Sequence, residues 1–145
     1  MKKRVTRLLL LALTVALCLP LLASCSGGPS KSTVEEYAQN VLQALIKKDT
    51  AALQALANPD YAGYFSETEM EPYYAQYTEW GVCDASNTIG SLKRTFWQKG
   101  DYYGDRGSEA IFTVSIGGIL YEFEIVVVEN QAGVGVANFE LERIG

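Results

Sequence analysis

Glu109-Ala-Ile-Phe-Thr-Val-Ser-Ile-Gly-Gly-Ile-Leu-Tyr-Glu-Phe-Glu-Ile-Val-Val-Val-Glu129 is the stretch whose reading decides the fold. Apolar and polar residues alternate on both sides of Gly117-Gly118, the period of a half-buried strand, and the paired glycines suit a tight turn between two such strands. Outward from this hairpin the same alternation predicts strands at Thr88–Gln98, Glu109–Ile116, Leu120–Glu129 and Gly133–Arg143. Glycine-bearing turns separate them at Lys99–Ser108, Gly117-Gly118 and Asn130–Gly133, which favours consecutive antiparallel pairing, a four-stranded meander. On the third strand Tyr121, Phe123, Ile125 and Val127 share one face, which should meet the rest of the core. Glu122 and Glu124 then project together from the other face. Paired carboxylates can divide acid and base roles, but this pair should point to solvent.

Before Gly81 the period is helical. Ser32-Thr-Val-Glu35 reads as a capping box, and Val34, Tyr37, Ala38, Val41, Leu42 and Leu45 follow on one helical face. Lys47 and Lys48 suit the negative end of that helix dipole. Asp49 or Thr50 is placed to cap a second short helix, Ala51–Ala57, stopped by Asn58-Pro59. A third helix is expected from about Glu69 to Trp80, with Pro72 in its first turn and Gly81 as its stop. Helices first and strands afterwards predict an α+β fold: about three N-terminal helices packed on a curved antiparallel four-stranded meander sheet.

Val41-Leu-Gln-Ala-Leu-Ile-Lys-Lys-Asp-Thr-Ala-Ala-Leu-Gln-Ala-Leu56 is an amphipathic helix, a Lys-Asp step and a second short Leu-rich helix. With a terminal meander, this resembles the opening of small extracytoplasmic members of the nuclear-transport-factor-2-like (cystatin-like) superfamily, over most of residues 32–145. The resemblance implies helices folded over a curved sheet with a pocket between them. Enzymes of that superfamily use pocket Asp, His or Tyr residues; none of those positions carries over to this chain.

The N-terminus reads as an export signal. Met1–Arg7 holds four positive charges and no acid, and an apolar stretch of 15 residues runs from Leu8 to Leu22, broken only by Thr14, Cys18 and Pro20. A membrane-spanning helix needs about 20 residues, so the pattern is that of a secretory signal. Leu22-Ala-Ser-Cys25 resembles the bacterial lipobox, a Leu and two small residues before a Cys whose thiol takes the lipid. Residues 1–24 are therefore expected to be a lipoprotein signal peptide, residues 25–31 the lipidated Cys25 and a short linker, and residues 32–145 a single domain. A signal cleaved without lipidation is the alternative. A diacylglyceryl Cys would hold the protein durably, on the outer side of the cytoplasmic membrane, or at the outer membrane if the organism has one.

Composition narrows the function. The first 24 residues take four of the twelve basic residues and none of the 17 acidic ones, which leaves eight against 17 and a net charge of −9. Taken as a whole, such a surface repels nucleic acid and anionic headgroups, so no nucleic-acid role is expected. The chain has no His, which excludes Ser-His and Cys-His nucleophiles and His-based metal sites. There is no phosphate-binding Gly-rich loop and no CxxC pair. With Cys25 acylated, Cys83 would be the only thiol, read as a small buried hydrophobe. Asp101, Asp105 and Glu109 invite a calcium reading, but Tyr103 and Arg106 stand where such a loop needs an oxygen ligand and Gly, so a polar hairpin loop is expected. No cofactor and no metal is expected.

The densest feature is aromatic. Tyr61, Tyr64, Phe65, Tyr73, Tyr74, Tyr77 and Trp80 fall within twenty residues. Tyr and Trp join an apolar face to a polar tip, which suits a partly polar ligand or a sugar ring. Met70, Tyr73, Tyr74, Tyr77 and Trp80 also stand at helical spacing, so the buried face of a helix is the competing reading. The expectation is a non-catalytic, membrane-anchored domain that binds a small ligand at Tyr61, Tyr64, Tyr73, Tyr77 and Trp80, or an envelope protein through the sheet. The alternative is an isomerase-like or hydrolase-like enzyme with a raised-pKa carboxylate in its pocket.

Overall fold

The computed structural model describes residues 27–145. The expected signal peptide and Cys25 lie outside the described residues. The order is three helices followed by four strands: α1 (Lys31–Lys47), α2 (Thr50–Leu56), a short 3-10 turn (Ala62–Phe65), α3 (Glu67–Glu79), then β1 (Lys93–Tyr102), β2 (Asp105–Ile116), β3 (Ile119–Asn130) and β4 (Gly133–Arg143). The strands form one open antiparallel sheet in the order β1-β2-β3-β4, with the helices against it. This is the α+β arrangement the alternating and helical periods predict.

The buried face of α1 is Val34, Ala38, Val41, Leu42 and Leu45, as its spacing requires. It packs on the sheet face that carries Phe112, Val114, Tyr121, Phe123, Ile125, Val127 and Leu141, all at most 2 % exposed. Burying a side chain of that size contributes about 1.5–3 kcal/mol relative to leaving it in water, so this layer is the main source of stability. Glu122 is on the opposite face, directly across from Glu142, and Glu124 is across from Glu140. The paired glutamates do point away from the helices.

Several boundaries differ from the sequence reading, each for a local reason. The cap of α1 is Ser30, whose Oγ accepts from the Thr33 N–H at 3.3 Å, not Ser32. The described part of the linker is docked on the sheet: Pro29 is buried and its carbonyl accepts from the Ser108 hydroxyl at 2.6 Å. That contact fixes Ser30 in an extended conformation two residues before the expected cap, and Glu35 turns to Arg94, 3.9 Å away, instead of back to the helix start. Of the two candidate caps of α2, Asp49 is the one used, its carboxylate accepting from the Ala52 N–H at 3.0 Å. α3 begins at Glu67 under a Ser66 cap, which places Pro72 in the second turn rather than the first. Gly81, at φ +78, ends it.

The sheet boundaries shift too. β1 starts at Lys93; Thr88–Leu92 makes only one bridge, Ile89 to Ile116. Gly90 lies against Ser115 there, donating its N–H to the Ser115 carbonyl at 2.8 Å. The expected ten-residue loop Lys99–Ser108 is a hairpin turning on Tyr103-Gly104, with φ +57 and +90. Positive φ at both central residues gives the turn whose twist matches the flanking strands, and the polar composition of this stretch hides it. Two bulges, at Arg94/Phe96 and Val126/Val127, bend the sheet.

Candidate functional site at the β4 edge

The site is built from the connection that follows α2. Ala57 forms a parallel bridge with Val136, and Asn58 N–H donates to the Val136 carbonyl at 3.0 Å. Backbone meets backbone at this point, because β4 carries Gly135 and any side chain there would collide with Ala57 and Asn58. Asn58 itself is fully buried. Its Nδ2 donates to Asn130 Oδ1 at 3.0 Å and to the Gly133 carbonyl at 2.9 Å, while its Oδ1 accepts from the Asp60 N–H at 3.0 Å. Asn130 Nδ2 in turn donates to Asp60 Oδ2 at 2.9 Å and Asp105 Oδ2 at 3.1 Å.

This clamp delivers Tyr61. Its hydroxyl donates to Asp105 Oδ2 at 2.7 Å, and burial followed by that carboxylate pushes its pKa up to about 12. Its ring lies against Val126, Val128 and Ala137, a small buried cluster that Tyr102 also covers, apart from the main core. The chain then turns back so that Phe65 stacks on Phe139 at 5.4 Å. The connection thus passes around the edge strand, one aromatic on each side of it.

Between this connection, the first two turns of α3 and the edge of β4 lies a cleft of about 370 Å³. Tyr61, Tyr64, Tyr73 and Tyr103 supply most of its rings, Phe65, Met70 and Phe139 its floor, and Glu69 and Asn138 its polar groups. Tyr61 contacts Tyr64 at 6.4 Å and Tyr103 at 5.9 Å between centroids, in tilted geometry. Three of these rings are strongly exposed: Tyr64 by 68 %, Tyr73 by 50 % and Tyr103 by 66 %. The volume is within the range of small-ligand sites.

Three of the five ligand-binding candidates, Tyr61, Tyr64 and Tyr73, come together here. Tyr77 and Trp80 do not. Tyr77 is buried, and with Trp80 and Tyr121 it forms an aromatic row inside the core, at centroid distances of 5.8 and 6.4 Å. Tyr121 caps that row by donating its hydroxyl to the Trp80 carbonyl at 3.0 Å. Burial pushes the Tyr77 hydroxyl up to about 12. The helical spacing of α3 therefore splits its aromatics by face: Tyr74 and Tyr77 inward, Tyr73 outward to the cleft. Tyr103 and Phe139 were missed as lining residues. Tyr103 sits in the β1–β2 turn and Phe139 on β4, both far away in sequence, and only the fold brings them to Tyr61.

Other chemistry is sparse. The carboxylate with a raised pKa is Glu124, on the outer sheet face, pushed up by burial and then by Glu109 and Glu140. Glu69, in the cleft lining, is exposed. Asp105 is engaged by Tyr61 and Asn130, and among the described residues no group of three His, Cys, Asp or Glu is arranged to hold a metal ion. Cys83 is free and half-buried, its thiol pushed up by burial. Among the described residues no helix is long and apolar enough to cross a membrane. Together these define the class: an α+β domain with an open four-stranded antiparallel sheet and a tyrosine-lined cleft at one sheet edge. No family model, curated protein or solved structure matches the chain.

Proposed function

We propose that this chain is an extracytoplasmic lipoprotein, tethered through Cys25, whose domain binds a small, partly polar ligand in the tyrosine cleft without a catalytic step. The carrying observation is that three tyrosines exposed by half or more ring one cleft of about 370 Å³. Leaving such rings in water forgoes burial worth about 25 cal/mol per Å², and a ligand with a flat apolar face recovers it. The hydroxyl tips, Glu69 and Asn138 provide the polar contacts that fix a ring bearing hydroxyl or amide groups. The helices-then-meander order supports the nuclear-transport-factor-2-like resemblance, and Leu22-Ala-Ser-Cys25 supports the tether. The isomerase-like alternative needs a buried carboxylate in the cleft, and Glu69 is exposed.

The test is an NMR titration with mono- and disaccharides and other hydroxylated ring compounds. Binding should shift the resonances of Tyr64, Tyr73 and Tyr103 together, and Tyr64→Ala with Tyr73→Ala should abolish it while the melting temperature stays within a few degrees. No shift at these three rings with any compound at millimolar concentration would overturn the ligand reading.

A second reading, an envelope protein docked on the outer sheet face, has its own observation. Glu109, Glu122, Glu124, Glu140 and Glu142 crowd that face, two pairs of them directly across from one another. Like charges opposite each other on a sheet are destabilising, and a basic partner would relieve that. Charge reversal at Glu122 and Glu124 should then abolish capture of the partner and leave the cleft unaffected.

A further inference from the structure

The docked linker has a direction, and so do the cations. Gly28 lies against the Gly107 backbone so closely that a side chain at position 28 would strike it. Lys99 Nζ donates to the Gly28 carbonyl at 3.3 Å, and Ser108 holds the Pro29 carbonyl. Cys25 is two residues before Gly27, at most about 7 Å of extended chain. A lipid on Cys25 therefore enters the bilayer close to the β1–β2 side of the sheet.

That side carries most of the positive charge. Lys31, Lys93, Arg94, Lys99 and Arg106 are five of the eight basic residues after position 24, and all are exposed. β1 is an edge strand with three cations and one acid, whereas β3 and β4 carry five glutamates. β1 also shows an aromatic ring on each of its faces. Phe96 is 39 % exposed on the outer one, and Trp97 is half-buried on the inner one with the Arg94 guanidinium 5.9 Å from its ring centre. Cations and aromatics interleaved along one edge are what an interfacial segment requires, since rings settle at headgroup depth and Lys and Arg are drawn to anionic lipid.

We infer that the β1 edge, with Lys31, Lys93, Arg94, Phe96, Trp97 and Lys99, lies on an anionic lipid headgroup layer and sets the orientation of the tethered domain. The inference rests on the lipoprotein reading above. β4, which lines the cleft, is the opposite edge of the sheet, three strand spacings or about 14 Å from β1. The glutamate-rich β3 and β4 stay away from like-charged lipid.

The two tryptophans report this directly, because Trp97 is on β1 and Trp80 is in the core row. The full chain, with the lipid on Cys25 verified by mass spectrometry, is reconstituted in phosphatidylglycerol–phosphatidylethanolamine vesicles brominated near the headgroup end of the acyl chains. In Trp80→Phe, the remaining Trp97 should be quenched several-fold more than Trp80 is in Trp97→Phe. Lys31→Glu with Lys93→Glu, or vesicles of phosphatidylcholine alone, should remove most of that difference. Equal quenching of both tryptophans, or none, in verified lipidated protein overturns the orientation and leaves the tether standing. A chain with no lipid on Cys25 overturns the tether and the orientation with it. Amine labelling of the unmutated protein repeats the test: on binding, Lys31, Lys93 and Lys99 should be protected several-fold and Lys47 and Lys48 should not. Uniform protection would contradict it.

Discussion

Asn58→Ala tests how the cleft is held. The side chain is fully buried and makes three hydrogen bonds at 2.9–3.0 Å, to Asn130, to the Gly133 carbonyl and from the Asp60 N–H. At about 1 kcal/mol for each of these three bonds, the substitution should cost about 3 kcal/mol. Urea unfolding of a domain this size has a slope of about 2 kcal/mol/M, so the midpoint should fall by about 1.5 M. The damage should also reach the site. Asn130, released from Asn58, holds Asp105 less firmly, and Asp105 is what Tyr61 donates to. Burial would still raise the Tyr61 hydroxyl, but with Asp105 released it should titrate lower than in the intact clamp, where burial and Asp105 push it up to about 12. Asn58→Asp keeps the acceptor for Asp60 N–H but loses both donors and adds a carboxylate to a cluster of two. It should be less stable than Asn58→Ala near neutral pH and recover part of the difference in acid. A loss below about 1 kcal/mol for Asn58→Ala, with Tyr61 unchanged, would refute the clamp.

Gly135→Ala should destabilise the domain by more than about 2 kcal/mol, because its methyl collides with the Ala57–Asn58 backbone; a melting temperature within a degree of the parent would contradict this. Tyr61, Tyr77 and Tyr102 are each held up to about 12, the last by burial and by Glu109. Folded values above the ordinary 10 mean that stability is intact below pH 10 and falls as pH rises through 12. Phenolate absorbance should therefore rise in two stages, and a single step near 10 for all nine tyrosines would be the contrary result. Glu124 is raised above its ordinary 4.5 by burial and then by Glu109 and Glu140. Its ionisation therefore weakens the fold as pH climbs through the raised value, and Glu124→Gln should be more stable than the parent at neutral pH. The advantage should vanish below pH 4.5, and equal or lower stability at neutral pH would show the acidic face to be unstrained.

The fold was legible because its two periods are clean. Tyr121, Phe123, Ile125 and Val127 at every second position, and Val34, Ala38, Val41, Leu42 and Leu45 on one helical face, name the two layers that meet. What the pattern could not show were contacts between distant segments. Ser30 caps α1 because Ser108 holds Pro29 in place, and nothing near Ser30 announces Ser108. The Tyr103-Gly104 hairpin hid inside a polar run, where only the positive φ of its two turn residues identifies it. The aromatic cluster was visible as a composition, but its division was not. Whether Tyr77 faces a ligand or the core depends on where α3 lies on the sheet, and it lies with Tyr77 against Trp80 and Tyr73 at the cleft. Tyr103 and Phe139 reach that cleft only through the strand pairing and the bulge beside Ala137.

The tether underlies the placement of the domain at a membrane and its orientation there, so the decisive measurement is the intact mass of the chain expressed in bacteria and extracted from the membrane fraction. The account predicts a polypeptide that begins at Cys25 and carries the added mass of a thioether-linked diacylglycerol, and a Cys25→Ser variant that is neither lipidated nor cut before position 25. A membrane-free product of unmodified mass, cut elsewhere or not at all, would contradict it.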